Sequence, residues 1–91
     1  MTYRYRAVRR FWKSFDRLNQ KQKESTWKAW KIFKEDPFDP RLGTHKIHRL
    51  SAEYKTTIFA VVIEGDLRSL FYLDGDVVVS VDIGTHAVYR S

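Results

Sequence analysis

Cysteine is absent from the chain, which removes disulfides and thiolate chemistry together and leaves no sign of export. Glycine is scarce, with four in all, and no run of it could cradle a phosphate. No serine sits in a nucleophile-elbow context. The longest apolar stretch, IFAVVI, is far shorter than the roughly 20 residues a membrane span needs. The opening MTYRYRAVRR lacks the apolar core of a signal peptide, so a cytoplasmic protein with no membrane partner is expected. No internal repeat and no low-complexity segment is found.

What is present is compact and basic. A chain of 91 residues is one domain with room for one modest core. Its hydrophobic content of 43% and aromatic content of 15% are too high for a disordered chain. Charge is divided unevenly. Residues 1–50 hold 14 Lys and Arg against 5 Asp and Glu, and residues 51–91 hold 3 against 6. A net of +9 in one half points to a polyanionic partner, either nucleic acid or an acidic protein segment, or else to solvated helix faces.

Tyr3 to Ala7 alternates aromatic and basic residues, which suits a short first strand. Val8, Phe11, Trp12, Phe15 and Leu18 then recur at helical spacing, with Arg9, Arg10, Lys13 and Arg17 mostly around the polar side. NQKQKES marks a joint, and either Asn19 or Ser25 can cap the next helix. Thr26, Ala29, Trp30 and Phe33 share that helix's inner face. Trp12, Trp27 and Trp30 read as core residues. Pro37 disfavours helical geometry at Asp36, and Pro40 and Gly43 prevent a restart.

Beyond Gly43 the period becomes that of strands. THKIHRL is a short candidate, TTIFAVVI a central one, and LRSLFYL and VVVSVDI form a hairpin across DGD. The expected fold is α+β in the order β-α-α-β-β-β, with two N-terminal helices on one face of a twisted antiparallel sheet. A three-residue loop from Asp74 to Asp76 pairs Leu73 with Val77. It sets Leu67, Phe71 and Leu73 with Val77, Val79, Val81 and Ile83, and turns Arg68 onto the open face.

His45 and His48 are three apart and point to opposite faces of a regular strand, so no metal site or cofactor is expected. The remaining chemistry lies in His45, Lys46, His48, Arg49, Arg68, His86, Tyr89 and Arg90. Metal-free RNA cleavage needs such a set. A base takes the ribose 2′-OH proton, a fixed cation holds the charge developing on phosphate, and an acid protonates the 5′-oxygen. Histidine titrates near neutrality, and tyrosine stacks on unpaired bases. Each residue also has a plainer reading. His86 can be a hydrogen-bonded strand end, Arg68 a partner of Asp82 across the hairpin, and Asp66 a turn residue. His45 and His48 can be exposed strand residues, Lys46 and Arg49 solvated charges, and Tyr89 and Arg90 a frayed tail.

FKEDPFDPRLGTHKIHRL followed by GDLRSLFYLDGDVVVSVDIGTHAVYR resembles the RelE/ParE superfamily of type II toxin–antitoxin toxins. The shared pattern is two basic helices and a DP..P.L..HK joint. It continues with an arginine early in the penultimate strand and a last strand ending in IGTH plus an aromatic. The resemblance implies a RelE-like fold. For the branches similar to the YafQ and YoeB toxins, it implies a ribosome-dependent mRNA endonuclease that leaves a 2′,3′-cyclic phosphate. Arg68 matches the phosphate-binding arginine, and His86 matches a catalytic histidine. His45, Asp66 and Tyr89 match further site positions, with Lys46, His48, Arg49 and Arg90 as RNA contacts. A second mid-sheet histidine of YafQ-like proteins falls near Val62, and the glutamate base of the YoeB-like branch has no counterpart.

The resemblance also implies a cognate acidic antitoxin that folds over the basic half, beside the ribosome and mRNA as partners. Two other functions stay open. One is gyrase inhibition without nuclease activity, as in the ParE branch, and the other is nucleic-acid binding without toxicity. The presence of the His/Arg/Tyr set favours the nuclease.

Overall fold

A computed structural model describes residues 2–85. It contains strand β1 (Arg4–Ala7), helices α1 (Arg9–Asp16) and α2 (Gln20–Glu35), and a 3-10 turn at Pro40–Leu42. Strand β2 (His45–Lys46), helix α3 (His48–Tyr54) and strands β3 (Phe59–Glu64), β4 (Leu67–Asp74) and β5 (Val77–Gly84) follow. The five strands form one sheet in the order β1-β5-β4-β3-β2. Among the described residues, no helix is long and apolar enough to cross a membrane.

The α+β architecture is as expected, and three of its details are corrected. The sheet is mixed, because β1 runs parallel to β5 with Arg4 opposite Val77 and Ala7 opposite Ser80. The strand expected over THKIHRL is confined to His45 and Lys46, and the chain then turns into α3. Leu50 drives this. It is 2% exposed and packs with Ile58, Ala60, Leu70, Val79 and Val81, so the burial of one leucine outweighs the strand-like alternation around it. Ser51 secures the helix by donating to Ile47 O at 2.9 Å and accepting from Ile58 N at 2.8 Å.

The third correction is the hairpin register. Asp74 pairs with Val77 and Leu73 with Val78, around a two-residue Gly75-Asp76 turn in which Gly75 takes φ 61°. A one-residue slip exchanges the faces of the neighbouring side chains. A bulge then restores the far end, since Leu70 faces Asp82 while Phe71 faces Ser80, leaving Val81 as the extra residue. Phe71 therefore shares the α2 side with Val78, and Ile83 still meets Leu67 under α1. Val79 and Val81 lie on the α3 side.

The helix boundaries follow the local chemistry. Asn19 caps α2 in a reciprocal box with Gln22, at 2.8 Å and 3.0 Å, which decides between the two candidate caps. Asp36 leaves the helix with φ −160°, as the following Pro37 requires. Gly43 takes φ 57°, and a Cβ there would meet Val62 Cγ2 at 3.2 Å. Phe33, Phe38, Phe59 and Phe71 form an aromatic stack on the α2 side, with neighbouring ring centroids 5.0–5.8 Å apart. Trp12 and Trp27 are each 46% exposed, which corrects their reading as core. They lie on the outer rim of the α1–α2 seam, against Phe11 and Phe15.

Candidate functional site

Arg68 lies one residue inside β4, between Val62 of β3 and Gly84 of β5. This replaces the alternative pairing with Asp82. The guanidinium Nη1 donates to Gly65 O at 2.7 Å and Leu67 O at 3.2 Å, which folds the side chain back over the β3–β4 turn. Exposed Asp66 belongs to that turn, in line with its simplest reading.

His45 pairs with Ala60, and Ala60 pairs with Leu70. Directly opposed residues share a face, as do residues two apart along a strand, so His45 and Arg68 share the α3 face. Two strand spacings and one two-residue step separate their backbones, about 12 Å. The ring of His45 is fixed by Nδ1 against Gly43 O at 2.9 Å. Lys46 is exposed on the same short strand, and His48 and Arg49 are exposed in the first turn of α3. Leu50 packs α3 onto Ala60, Leu70, Val79 and Val81, so the sheet face expected to be open is partly roofed. His86, Tyr89 and Arg90 lie outside the described residues. In sequence, His86 stands two residues beyond Gly84, the β5 partner of Arg68.

Sequence reasoning missed a second feature at this end of the sheet. Arg10, Lys13, Ser14, Arg17, Leu18 and Gln22 form one wall of an open cleft of about 570 Å³, and Asp82 to Thr85 form the other. Asp82 is only 4% exposed and anchors the junction. Its Oδ1 accepts from Ser14 Oγ at 2.6 Å and from Ile83 N at 2.9 Å, while Oδ2 meets Arg10 Nε at 3.1 Å. The available signal was the spacing of Arg10, Lys13, Ser14 and Arg17, which puts them on one stripe of a helix. Among the described residues, no group of three or more His, Asp or Glu side chains could hold a metal ion.

The resolved shifts in protonation lie away from this region. The Arg41 guanidinium hydrogen-bonds Asp39 and holds its carboxyl at about 2. A hydrogen bond from Arg4 likewise lowers Asp76. Burial, followed by the charges of Asp36 and Tyr3, raises Tyr5.

The architecture is shared with solved toxin structures. The RelE–RelB complex from the archaeon Pyrococcus horikoshii OT3 contains a chain that superposes with a TM-score of 0.70 at 14% identity, with all of both chains covered. A copper-bound mutant toxin from Helicobacter pylori superposes with a TM-score of 0.63 at 17% identity, covering 96% of this chain and 98% of that one. No protein-family model matches the sequence, and no curated protein matches it significantly. The chain therefore has a RelE-like fold.

Proposed function

We propose that this chain is a RelE/ParE-superfamily toxin of a type II toxin–antitoxin pair, one domain over residues 1–91. We infer that it is a metal-independent endoribonuclease that cuts mRNA on the ribosome in the cytoplasm. The observation that carries the reading is the register that sets Arg68 beside Gly84, which precedes Thr85 and His86 in the sequence. The likeness to a chain of a solved RelE–RelB complex supports the toxin assignment and an antitoxin as partner, and the net charge of +9 in residues 1–50 favours an acidic one.

In this reading Arg68 holds the non-bridging oxygens of the scissile phosphate. A fixed guanidinium stabilises charge that grows as the 2′-oxygen attacks. His86 moves a proton, either from the 2′-OH or onto the departing 5′-oxygen, and His45 is the candidate for the complementary step. The P–O5′ bond breaks, the new P–O2′ bond closes the cyclic phosphate, and the proton taken at one oxygen is balanced by the proton given at the other. Tyr89 stacks on a base. Asp66 orients its neighbours, and Lys46, His48, Arg49 and Arg90 contact the backbone.

The test is induced expression in a bacterial host, with growth and mRNA 5′ ends followed for wild type, His86→Ala and Arg68→Ala. The expected result is arrest with codon-phased cleavage, reduced roughly 10²-fold or more in each variant. Arrest with DNA breaks and intact mRNA would replace the nuclease by gyrase inhibition. Arrest and cleavage unchanged in both variants would remove the site assignment.

A further inference from the structure

The stripe of cations on α1 is separate from the Arg68 set and has no part in the chemistry above. Arg10, Lys13, Ser14 and Arg17 are spaced so that one helix face carries all four. Lys13 and Arg17 are exposed, as is 70% of the Arg10 side chain. Arg10 is nevertheless tethered through Nε to buried Asp82. A tethered but exposed guanidinium has lost part of its rotamer freedom already, so a second anion orders it at lower entropic cost.

The opposite wall is Ile83, Gly84 and Thr85, and Leu18 adds an apolar patch. The cleft is open to solvent and holds about 570 Å³, room enough for a stretch of polyanion. Gly84 belongs both to this wall and to the pair with Arg68, and opposed antiparallel residues stand about 4.5–5.5 Å apart at Cα. The cleft and the Arg68 position thus meet at one strand end.

We propose that this cleft is a second phosphate-backbone site, which holds the same single-stranded RNA whose scissile phosphate reaches Arg68. The strand crosses the end of β5 at Gly84 and Thr85. Lys13 and Arg17 pair with flanking phosphates, and Arg10 is braced by Asp82 for the phosphate nearest the sheet. The inference rests on the proposed function for the identity of the polyanion as substrate RNA.

The experiment measures binding of a fluorescent single-stranded RNA, 2′-deoxy throughout its central nucleotides so that it cannot be cut, across a salt series. Wild type is compared with Lys13→Gln/Arg17→Gln, which leaves the Arg10–Asp82 pair in place. A control, Lys31→Gln/Lys34→Gln, removes the same charge from the far part of α2. Each phosphate contact contributes about 0.7 to the salt slope on single strands, so the double variant loses about 1.4 with a roughly tenfold or greater weakening. The control is expected to follow wild type.

Equal affinity and slope in wild type and the cleft variant overturn the site, as does an equal loss in the control. A loss seen with duplex ribosomal RNA fragments but not with the single strand also overturns it. If expressed wild type leaves mRNA intact while the cleft variant still loses single-strand binding, the nuclease reading falls and the phosphate site stands. If wild type cuts mRNA and the cleft variant binds RNA unchanged, the phosphate site falls and the nuclease reading stands.

Discussion

The two faces of the sheet are built differently. One carries the sixteen-residue α2 over a stack of aromatic rings centred on Phe71, which is fully buried, and α1 over Leu67 and Ile83. The other carries the seven-residue α3 over aliphatic side chains, and it leaves His45 and Arg68 at its margin. Burial is what stabilises the first face, and its aromatic stack is closed to a large ligand, so the α1 cleft opens only at the edge of that face. The thinly roofed face can present a histidine and an arginine to a polymer. Stability and candidate chemistry are thus divided between two sides of one sheet, joined at the Asp82 end of β5.

That division can be broken from either side. Phe71→Ala removes the centre of the aromatic stack and should cost about 3–5 kcal/mol. At about 4–8 °C per kcal/mol for a domain of this size, a thermal melt should fall by more than about 12 °C. Leu50→Ala on the other face should cost nearer the low end of about 2–5 kcal/mol, because a short helix can settle into the space. A larger loss from Leu50→Ala than from Phe71→Ala would reverse the comparison. Arg68→Ala, tested above for activity, should melt close to wild type. A fall as large as that of Phe71→Ala would make Arg68 a structural residue.

Smaller effects sharpen the picture. Asn19→Ala deletes the α2 cap and should lower stability by about 1 kcal/mol in urea titration, with RNA binding unchanged. The smallest expected effect is at Asp39. Its carboxyl titrates at about 2 in the fold against an ordinary 3.8, so the unfolded chain binds the proton more readily. The contribution is present above about pH 4 and is lost as pH falls through about 2. Asp39→Asn should flatten that part of the stability–pH curve, read by melts between pH 4 and 2. An unchanged curve would show that exposed Arg41 provides no net stabilisation.

Particular residues show how far sequence reading reached. Pro37 ended α2 where local sterics required, and the 3.6-residue spacing of Phe11 and Phe15 correctly named the buried side of α1. α3 was hidden because HRLSAEY is too short to show a helical period, and its formation depends on Leu50 reaching residues distant in sequence. The cleft was hidden for a related reason. Arg10, Lys13 and Arg17 read as an ordinary solvated stripe until β5 supplies the opposite wall. Arg68 was recognised as a site candidate, but its neighbour was not, because the slip at the turn and the bulge at Val81 together move Gly84 rather than Asp82 opposite it.

What the sequence determined by itself was local and periodic. It set the two N-terminal helices and their buried faces, the proline stop, the β-rich second half and the basic first half. Those properties follow from dihedral limits, side-chain spacing and charge, all of which act over a few residues. Only the tertiary structure decided the parallel pairing of β1 with β5, the α3 roof, the bulged register beside Arg68 and the Asp82 anchor of the basic cleft. Each depends on contacts between segments far apart in the chain, whose free energy exists only once the fold has brought them together.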